Sequence, residues 1–272
     1  MVGVNKYRSA NISNLEGCVN DVQLINTLLI GQYNFTINNI VILTDRDATK
    51  QNILNKLDWL VKDSNEGDEL LFHFSGHGSY VVDYNNDEVD GYDEILCTND
   101  LDWNDPLTDD ILKKYFKRVH PGAKLVFLCD SCHSGTIMDL TPSVDKLVEK
   151  QGKENARFLT PPEEMVNAYK VKDLTRRRIG VKRNLTNTNE QRHILFAGCA
   201  ENDYSSDAYF ENIGKWQGAF SYYLVQSLKN NPHRPLVEIE KLVCDSVASN
   251  GFEQVPQMIT SKENETKPIF RK

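Results

Sequence analysis

The sequence lacks the features that would direct it to a membrane or to a nucleic acid. No apolar run approaches the ~20 residues needed to cross a bilayer, and the first residues, MVGVNKY, look like a strand rather than a secretory signal. Basic residues are in the minority, with 31 Lys and Arg against 39 Asp and Glu and a net charge of −8. Such a chain lacks the basic surface of a nucleic-acid binder. We therefore expect a cytoplasmic protein with no membrane and no nucleic-acid partner.

The cysteines do not resemble a disulfide framework, because six of them are scattered over 272 residues and most lie inside apolar segments. They are Cys18, Cys97, Cys129, Cys132, Cys199 and Cys244. We therefore expect a reducing compartment. With 40% hydrophobic and 26% charged residues, the composition is that of a globular chain long enough for one large α/β domain or two small ones.

The acidic charge is concentrated in the first half of the chain. Residues 1–140 include 11 basic and 22 acidic residues, whereas residues 141–272 include 20 basic and 17 acidic residues. This distribution favours cationic ligands, peptides or metal ions as partners of the first half.

Short apolar runs alternate with segments of helical period. Runs rich in β-branched residues and leucine predict strands at 2–7, 39–44, 69–75, 124–130, 193–199 and 256–261. Apolar residues three and four apart predict helices at 22–29, 53–61, 111–116, 219–228 and 236–247, the third with Thr108 as its N-cap. The strands are apolar throughout, which indicates a mostly parallel sheet with helices on both faces. In such a fold, the loops at the carboxyl ends of the strands carry the chemistry.

Two stretches interrupt this alternation, and no strand or helix is predicted in either. Residues 79–91 are polar and rich in Asp and Asn, and residues 141–191 are charged and weakly periodic. The second stretch has the length of a functional or mobile insertion. It contains a basic run whose simplest interpretation is a solvated linker. The run consists of Lys170, Lys172, Arg176, Arg177, Arg178, Lys182 and Arg183.

A histidine and a cysteine each follow a predicted buried strand. Strand 69–75 leads into Ser75-Gly76-His77-Gly78, and strand 124–130 leads into Ser131-Cys132-His133. If these strands are parallel neighbours, His77 and Cys132 lie within reach of each other at one edge of the sheet. An imidazole beside a thiol favours the ion pair of a nucleophilic enzyme, and the flanking glycines expose N–H groups that can bind an oxyanion. The alternative interpretation of Cys132 is a small buried hydrophobe.

Three other patterns in these residues are weaker. Cys129 and Cys132 have the spacing of a redox or zinc pair, but Cys129 lies in an apolar strand and is expected to face the core. His73 and His77 have the spacing of a zinc-peptidase motif, but they lack the intervening Glu and the helix, so His73 is expected to be a core histidine. Residues 83–87 begin like an EF-hand, but Glu88 replaces the obligatory glycine.

Several motifs taken together resemble a type I metacaspase, a caspase-like cysteine peptidase. In order along nearly the whole chain they are HFSGHG, DEVDGYDE, LTDD, KLVFLCDSCHSGTIMD, HILFAGC, Ser206-Asp207-Ala208 and QGAFSYYL. The resemblance implies a caspase-like α/β fold, in which the predicted strands form one central sheet of a single compact domain. It divides the chain into a p20-like part at 1–140, a linker at 141–191 and a p10-like part at 192–272. Because the first strand begins at once, we expect a form without a prodomain.

The residues around Cys132 distinguish this family from aspartate-specific caspases, whose nucleophile lies in a Q-A-C-x-G context about 50 residues after the histidine. The spacing here, 55 positions, is similar, but Asp130-Ser131-Cys132 has the metacaspase form. The resemblance implies His77 as general base and Cys132 as nucleophile, with the amides of Gly78 and Cys132 as oxyanion donors. It also implies cleavage after Arg or Lys.

The resemblance further assigns an acidic pocket for the P1 side chain. Its members are Cys18, Asp21, Ser75 and Asp130. The alternatives are that the helix dipole favours Asp21 in a first helical turn and that Asp130 caps a turn at a strand end.

A calcium site is implied in the same way. Its expected ligands are Asp93, Asp109, Asp110 and Asp139, with Asp90 as a replacement for Asp93. Oxygen ligands of this kind suit a hard cation such as Ca²⁺. Helix capping is the alternative for Asp109 and Asp110, which follow Thr108. No organic cofactor is expected.

These features predict a monomeric cysteine endopeptidase that cuts peptides and proteins after Arg or Lys and is activated by calcium. The basic run at 170–183 lies between the two parts and is rich in the predicted P1 residues, so self-cleavage is expected there. The alternative is a catalytically silent scaffold or regulator of the same fold. The presence of both His77 and Cys132 counts against it.

Overall fold

A computed structural model gives the fold of the chain and describes residues 1–83, 85, 91–132, 154–165, 192–200 and 204–271. Its central six-stranded sheet consists of β1 (Val2–Gly3), β2 (Leu43–Thr44), β3 (Glu69–Ser75), β7 (Lys124–Asp130), β9 (Ile194–Ala197) and β12 (Gln257–Ile259). Their spatial order is β12-β9-β7-β3-β1-β2, and every neighbouring pair is parallel except β12 with β9. The predicted mostly parallel sheet is confirmed.

The two central strands, β3 and β7, have the bounds that the sequence predicted, because each is a continuous, largely buried apolar run. The first strand is shorter than predicted and ends at Gly3. The amide of Asn5 donates to the carboxylate of Asp45, and its side-chain oxygen accepts from the amide of Cys18. These polar contacts draw the chain out of the sheet, where the apolar pattern alone predicted that the strand would continue.

Helices cover both faces of the sheet, as predicted. They are α1 (Cys18–Gln32), α2 (Lys50–Lys62), α3 (Asp109–Phe116), α4 (Ala219–Asn230), α5 (Leu236–Ser249) and the short α6 (Lys262–Glu265). On one face α1, α4 and α5 pack on the sheet around Leu128 and Phe220, and on the other face α2 and α3 pack around Phe74. Thr108 caps α3 as predicted, because its hydroxyl accepts the amide of Ile111 at 3.3 Å.

Two small antiparallel sheets flank the carboxyl end of the central sheet. One contains β4 (Gly78–Val82), β5 (Tyr92–Leu96) and β6 (Leu107–Thr108), and the other contains β8 (Glu154–Ala156), β10 (Ser206–Phe210) and β11 (Lys215–Gly218). The expectation of no strand in 79–91 is therefore wrong at its beginning. Tyr80 packs against Tyr92 across the β4–β5 pair, with ring centroids 5.1 Å apart, and the Asp and Asn residues that follow hid this short apolar run in the sequence.

The expectation of no strand is also wrong for the predicted linker at 141–191, because β8 lies within it and pairs with β10 of the p10-like part. This pairing brings a piece of the linker to the edge of the sheet where the candidate residues lie. Among the described residues, no helix combines the length and the apolar character that crossing a bilayer requires.

Candidate active site

The loops after β3 and β7 begin side by side, because Ser75 and Asp130 are partners in the parallel register. His77 and Cys132 lie in these two loops and are 1% and 0% exposed. The amides of Gly78 and Cys132 both donate to one carbonyl oxygen, that of Arg157, at 2.9 and 3.4 Å. The two loops therefore form a single site.

His77 is held in place by Ser13 and Tyr7. Its Nε2 lies 2.9 Å from the carbonyl oxygen of Ser13, and because a carbonyl only accepts, Nε2 carries the proton. The main-chain amide of His77 donates to the Tyr7 hydroxyl at 2.8 Å, and the two rings lie 5.2 Å apart. Nδ1 is buried with no hydrogen-bond partner among the described residues. This tautomer leaves Nδ1 as the basic nitrogen.

The Cys132 thiol lies against the residue Ser205. Its Sγ accepts the Ser205 amide at 2.9 Å. Burial raises the pKa of the Cys132 thiol well above its ordinary value, and burial lowers the pKa of His77 to about 4. Both shifts favour the neutral pair, so the site in this conformation does not favour the thiolate–imidazolium form that a cysteine peptidase needs.

The predicted pocket residues form one buried cluster. Cys18, Asp21, Ser75 and Asp130 are each 0% exposed. Asp207, which the sequence analysis did not assign to the pocket, completes the cluster from β10 and is also 0% exposed. Ser75 donates to Asp21 at 2.8 Å, and Asp130 accepts from the amide and hydroxyl of Ser221. The pocket is thus assembled from both parts of the chain.

A cation from the same chain fills this pocket. Nη2 of Arg157 lies 2.7 Å from Asp21 and 2.9 Å from Asp207, and Nη1 lies 3.1 Å from Asp130. Nη1 also donates to Ser75 at 2.8 Å. The Arg157 side chain is 0% exposed, so the whole ion cluster is shielded from water.

The charges in this cluster depend on each other. Burial disfavours the Arg157 cation, but the surrounding carboxylates outweigh this effect and raise the pKa of Arg157 well above its ordinary value. Burial also raises the pKa of Asp21 to about 7, against the opposing effect of Arg157. A cation in the pocket therefore stabilises the charged form of the buried carboxylates around it.

The described calcium candidates lie away from this cluster. Asp93 belongs to β5, and Asp109 and Asp110 begin α3, next to the end of the same small sheet. Nζ of Lys113 lies 2.7 Å from Asp109 and 3.8 Å from Asp110. The carboxylates are the oxygen ligands that calcium prefers, but in the described part of the chain no three ligand-type side chains gather around one point.

Other candidates lie outside the described residues. These are Asp90, Asp139 and the basic residues Lys170, Lys172, Arg176, Arg177, Arg178, Lys182 and Arg183. The prediction of self-cleavage in that run stays a prediction. Among the alternatives, Cys129 is buried in the core as expected, and none of the six cysteines, which all lie in the described part of the chain, forms a disulfide.

Sequence reasoning missed three contributors to the site. Ser13 contacts His77 through its main-chain carbonyl, which any residue possesses, and through a hydroxyl 3.4 Å from Nε2, and no motif in the sequence marks it. Asp207 lies in the Ser206-Asp207-Ala208 segment, which is part of the family resemblance. The resemblance did not assign this residue to the pocket. Arg157 is an isolated arginine upstream of the basic run, and only the pairing of β8 with β10 brings it to the pocket.

Sequence comparison connects the chain with known peptidases. The family profile described as "Metacaspase, peptidase C14 domain" matches residues 1–141. Metacaspase-1 of Scheffersomyces stipitis is 33% identical over 96% of this chain and 70% of its own length. Metacaspase-1 of Coccidioides immitis is 32% identical over 99% of this chain and 62% of its own length. The chain thus spans 62% to 70% of the length of these relatives.

Comparison of structures gives the same fold. A crystal structure of a protein from Geobacter sulfurreducens matches with a TM-score of 0.69 at 23% identity, covering 98% of this chain and 94% of that one. Caspase-1 from Spodoptera frugiperda matches with a TM-score of 0.58 at 11% identity, covering 95% and 84%. At these identities the likeness shows the fold, which is caspase-like as expected.

Proposed function

Because the chain belongs to the metacaspase family of cysteine peptidases, we propose that it is an endopeptidase that cleaves after arginine or lysine. Cys132 is the nucleophile, and His77 is the general acid and base. The same proposal includes activation by calcium and self-processing.

The observation that carries the P1 preference is the position of Arg157 among Asp21, Asp130 and Asp207. Two nitrogens of one guanidinium reach carboxylates on different sides of the pocket. The single ammonium of lysine cannot contact all of them at these distances, because it is one point charge on a flexible stem. We therefore expect arginine to be preferred over lysine at P1, and acidic residues to be excluded by charge repulsion.

The site supports the usual steps of cysteine-peptidase chemistry. Nδ1 of His77 takes the proton of the Cys132 thiol, and Sγ attacks the carbonyl carbon of the P1 residue. The amides of Gly78 and Cys132 stabilise the oxyanion, as their contacts with the Arg157 carbonyl oxygen suggest. His77 then protonates the leaving amine as the C–N bond breaks. Water, activated by His77, hydrolyses the thioester and restores the thiol.

Calcium would be held by Asp93, Asp109 and Asp110 together with Asp139, and would supply a compact divalent charge to this acidic end of the small sheet. The ammonium group of Lys113 already forms an ion pair with Asp109, one of these expected ligands. Binding of the cation therefore requires Lys113 to move.

A fluorogenic peptide panel tests the proposal. Peptides that differ only in having Arg, Lys, Gln or Asp at P1 are assayed with calcium and with chelator, using the wild type and Cys132→Ala. We expect turnover in the order Arg, then Lys, with none for Gln or Asp and none for the variant. Turnover after Asp would refute the pocket assignment, and no turnover of any peptide would favour the silent scaffold.

A further inference from the structure

The segment 154–159, called here the internal strand, runs through the site on both sides of Arg157. Before Arg157, β8 pairs antiparallel with β10, and the Arg157 amide donates to the Ser205 carbonyl at 2.9 Å. After Arg157, the Leu159 amide donates to the Gly78 carbonyl at 2.9 Å. A peptide held by backbone hydrogen bonds along an exposed sheet edge is a common mode of peptide recognition.

The position of the Arg157 carbonyl separates this arrangement from a structural ion cluster. A buried ion pair needs only the side chain of Arg157 in the pocket. Here the carbonyl oxygen of the same residue also accepts from the amides of Gly78 and Cys132. Side chain and carbonyl together occupy the places that a P1 residue and its scissile carbonyl require.

We propose that the internal strand is a built-in substrate and that the enzyme cuts its own chain between Arg157 and Phe158. The proposal rests on the proposed peptidase function and assigns it a particular bond. Sγ of Cys132 bonds to the carbonyl carbon of Arg157, the bond to the Phe158 nitrogen breaks, and His77 transfers the thiol proton to that nitrogen. Water then releases Arg157 as a new carboxyl terminus and regenerates the thiol.

The uncut internal strand also blocks the enzyme. It fills the acidic pocket, uses both oxyanion donors and leaves His77 and Cys132 1% and 0% exposed. An external substrate cannot enter until Arg157 is withdrawn. The cut, followed by departure of the new terminus, therefore converts a latent chain into an active peptidase.

The neighbours of the internal strand predict specificity beyond P1. Glu154, at P4, accepts the hydroxyl of Ser206 at 2.6 Å. Phe158, at P1′, stacks on Tyr80 with centroids 6.2 Å apart and meets Tyr204 edge-on at 5.8 Å. Asn155, at P3, is exposed. We infer a preference for substrates with an acidic residue at P4, arginine at P1 and an aromatic residue at P1′.

The first test identifies the bond. The full chain and its Cys132→Ala variant are incubated with calcium, and new amino termini are determined by mass spectrometry. We expect a fragment that begins at Phe158 in the wild type only. Arg157→Gln abolishes this terminus, Arg157→Lys retains it at a lower rate, and Lys153→Gln, a control basic residue four positions earlier, leaves it unchanged.

Whether the uncut chain is inactive is tested by adding an external Arg-P1 peptide to the same proteins and following its hydrolysis over time. The wild type should show a lag that ends as the Phe158 terminus appears, whereas Arg157→Gln should show no lag. If Arg157→Gln does not fold, as judged by circular dichroism, the wild-type terminus and the lag still decide the proposal.

A peptide with the sequence of residues 154–159 provides the third arm. Processed wild type should cut it after Arg, and replacing Phe158 with Gly in the peptide should lower kcat/KM by about tenfold, the worth of one aromatic contact. Replacing Glu154 with Gln should lower it several-fold.

The outcomes separate this inference from the proposed function. If neither the wild type nor a folded Arg157→Gln variant hydrolyses an Arg-P1 peptide, the peptidase proposal itself fails. If such peptides are hydrolysed but no chain begins at Phe158, or if Cys132→Ala is cut equally, the internal-substrate proposal is overturned. Cuts found only within 170–183 would also overturn it and would support the basic run instead.

Discussion

The guanidinium of Arg157 lies 2.7 Å from the carboxylate of Asp21, a residue 136 positions earlier in the chain. Asp21 lies in the first turn of α1, while Arg157 directly follows β8. Their contact joins the beginning of the chain to the predicted linker inside a cluster that contains two further carboxylates. The Arg157 cation offsets part of the cost of burying these carboxylates, and backbone and hydroxyl donors such as the Gly218 amide and the Ser221 hydroxyl offset more of it.

The acidic pocket can be tested at Asp130. Asp130→Asn removes a carboxylate whose Oδ2 lies 3.1 Å from the bound guanidinium. Breaking a buried, hydrogen-bonded charge pair costs about 2 to 5 kcal/mol, so kcat/KM for an Arg-P1 peptide should fall at least about 30-fold.

The control for Asp130 is Asp245→Asn, which removes the partner of an exposed ion pair with Lys241. Exposed pairs contribute little, and this variant should keep wild-type kinetics. Equal kcat/KM values for Asp130→Asn and the wild type would contradict the assignment of the pocket.

Gly218 forms the wall of the pocket. A Cβ added there would overlap Oδ2 of Asp130 and crowd Nη1 of Arg157. Gly218→Ala should therefore exclude arginine and abolish cleavage of Arg-P1 peptides. It should also release Arg157 from the pocket, which trypsin accessibility of residues 154–159 would reveal.

Gly31→Ala is the matched control for Gly218→Ala, because a Cβ on Gly31 in α1 would contact nothing within 4 Å. It should leave activity unchanged and slightly stabilise the helix. If Gly218→Ala and Gly31→Ala cleave Arg-P1 peptides with the same kcat/KM, Gly218 does not line the P1 pocket.

The proposed calcium site includes a competing cation. Nζ of Lys113 lies 2.7 Å from Asp109, so Lys113→Gln removes a positive charge that calcium must displace. Calorimetric titration should show calcium binding several-fold more tightly to this variant, and Asp109→Asn should weaken it. Lys114→Gln changes the neighbouring exposed lysine and should bind calcium like the wild type. Unchanged affinity in all three variants would place the calcium site elsewhere.

Acid should destabilise the fold through His73. This residue is 0% exposed in β3, and neither ring nitrogen has a hydrogen-bond partner among the described residues. Burial lowers the pKa of His73 to about 3 from its ordinary value of 6.5. Below pH 6.5 the unfolded chain binds a proton that the folded chain does not, so stability present above that pH is lost as the pH falls towards 3.

The measurement is the free energy of unfolding in urea between pH 6.5 and 4.5. His73 alone should lower it by about 2 kcal/mol over this range. His73→Leu should remove that part of the pH dependence, whereas His233→Leu, the same change at an exposed histidine, should not. An identical pH dependence in His73→Leu and the wild type would show that His73 titrates normally.

The central architecture could be predicted because local sequence patterns encode it. Strands β3 and β7 are continuous apolar runs, so their bounds were predicted correctly. Thr108 marked the start of α3 through the chemistry of its hydroxyl. His77 and Cys132 could be proposed as neighbours because parallel strands place their carboxyl ends at one edge.

The sequence by itself therefore determined the α/β framework and the edge at which the reactive side chains lie, since both follow from the burial of apolar runs. Only the tertiary structure decided which groups complete the site. Ser13 contributes a main-chain carbonyl that no residue type signals. Asp207 and Arg157 reach the pocket through the pairing of β8 with β10. Such pairing between distant segments depends on backbone hydrogen bonds and on the balance of buried charge, and neither leaves a periodic pattern in the sequence.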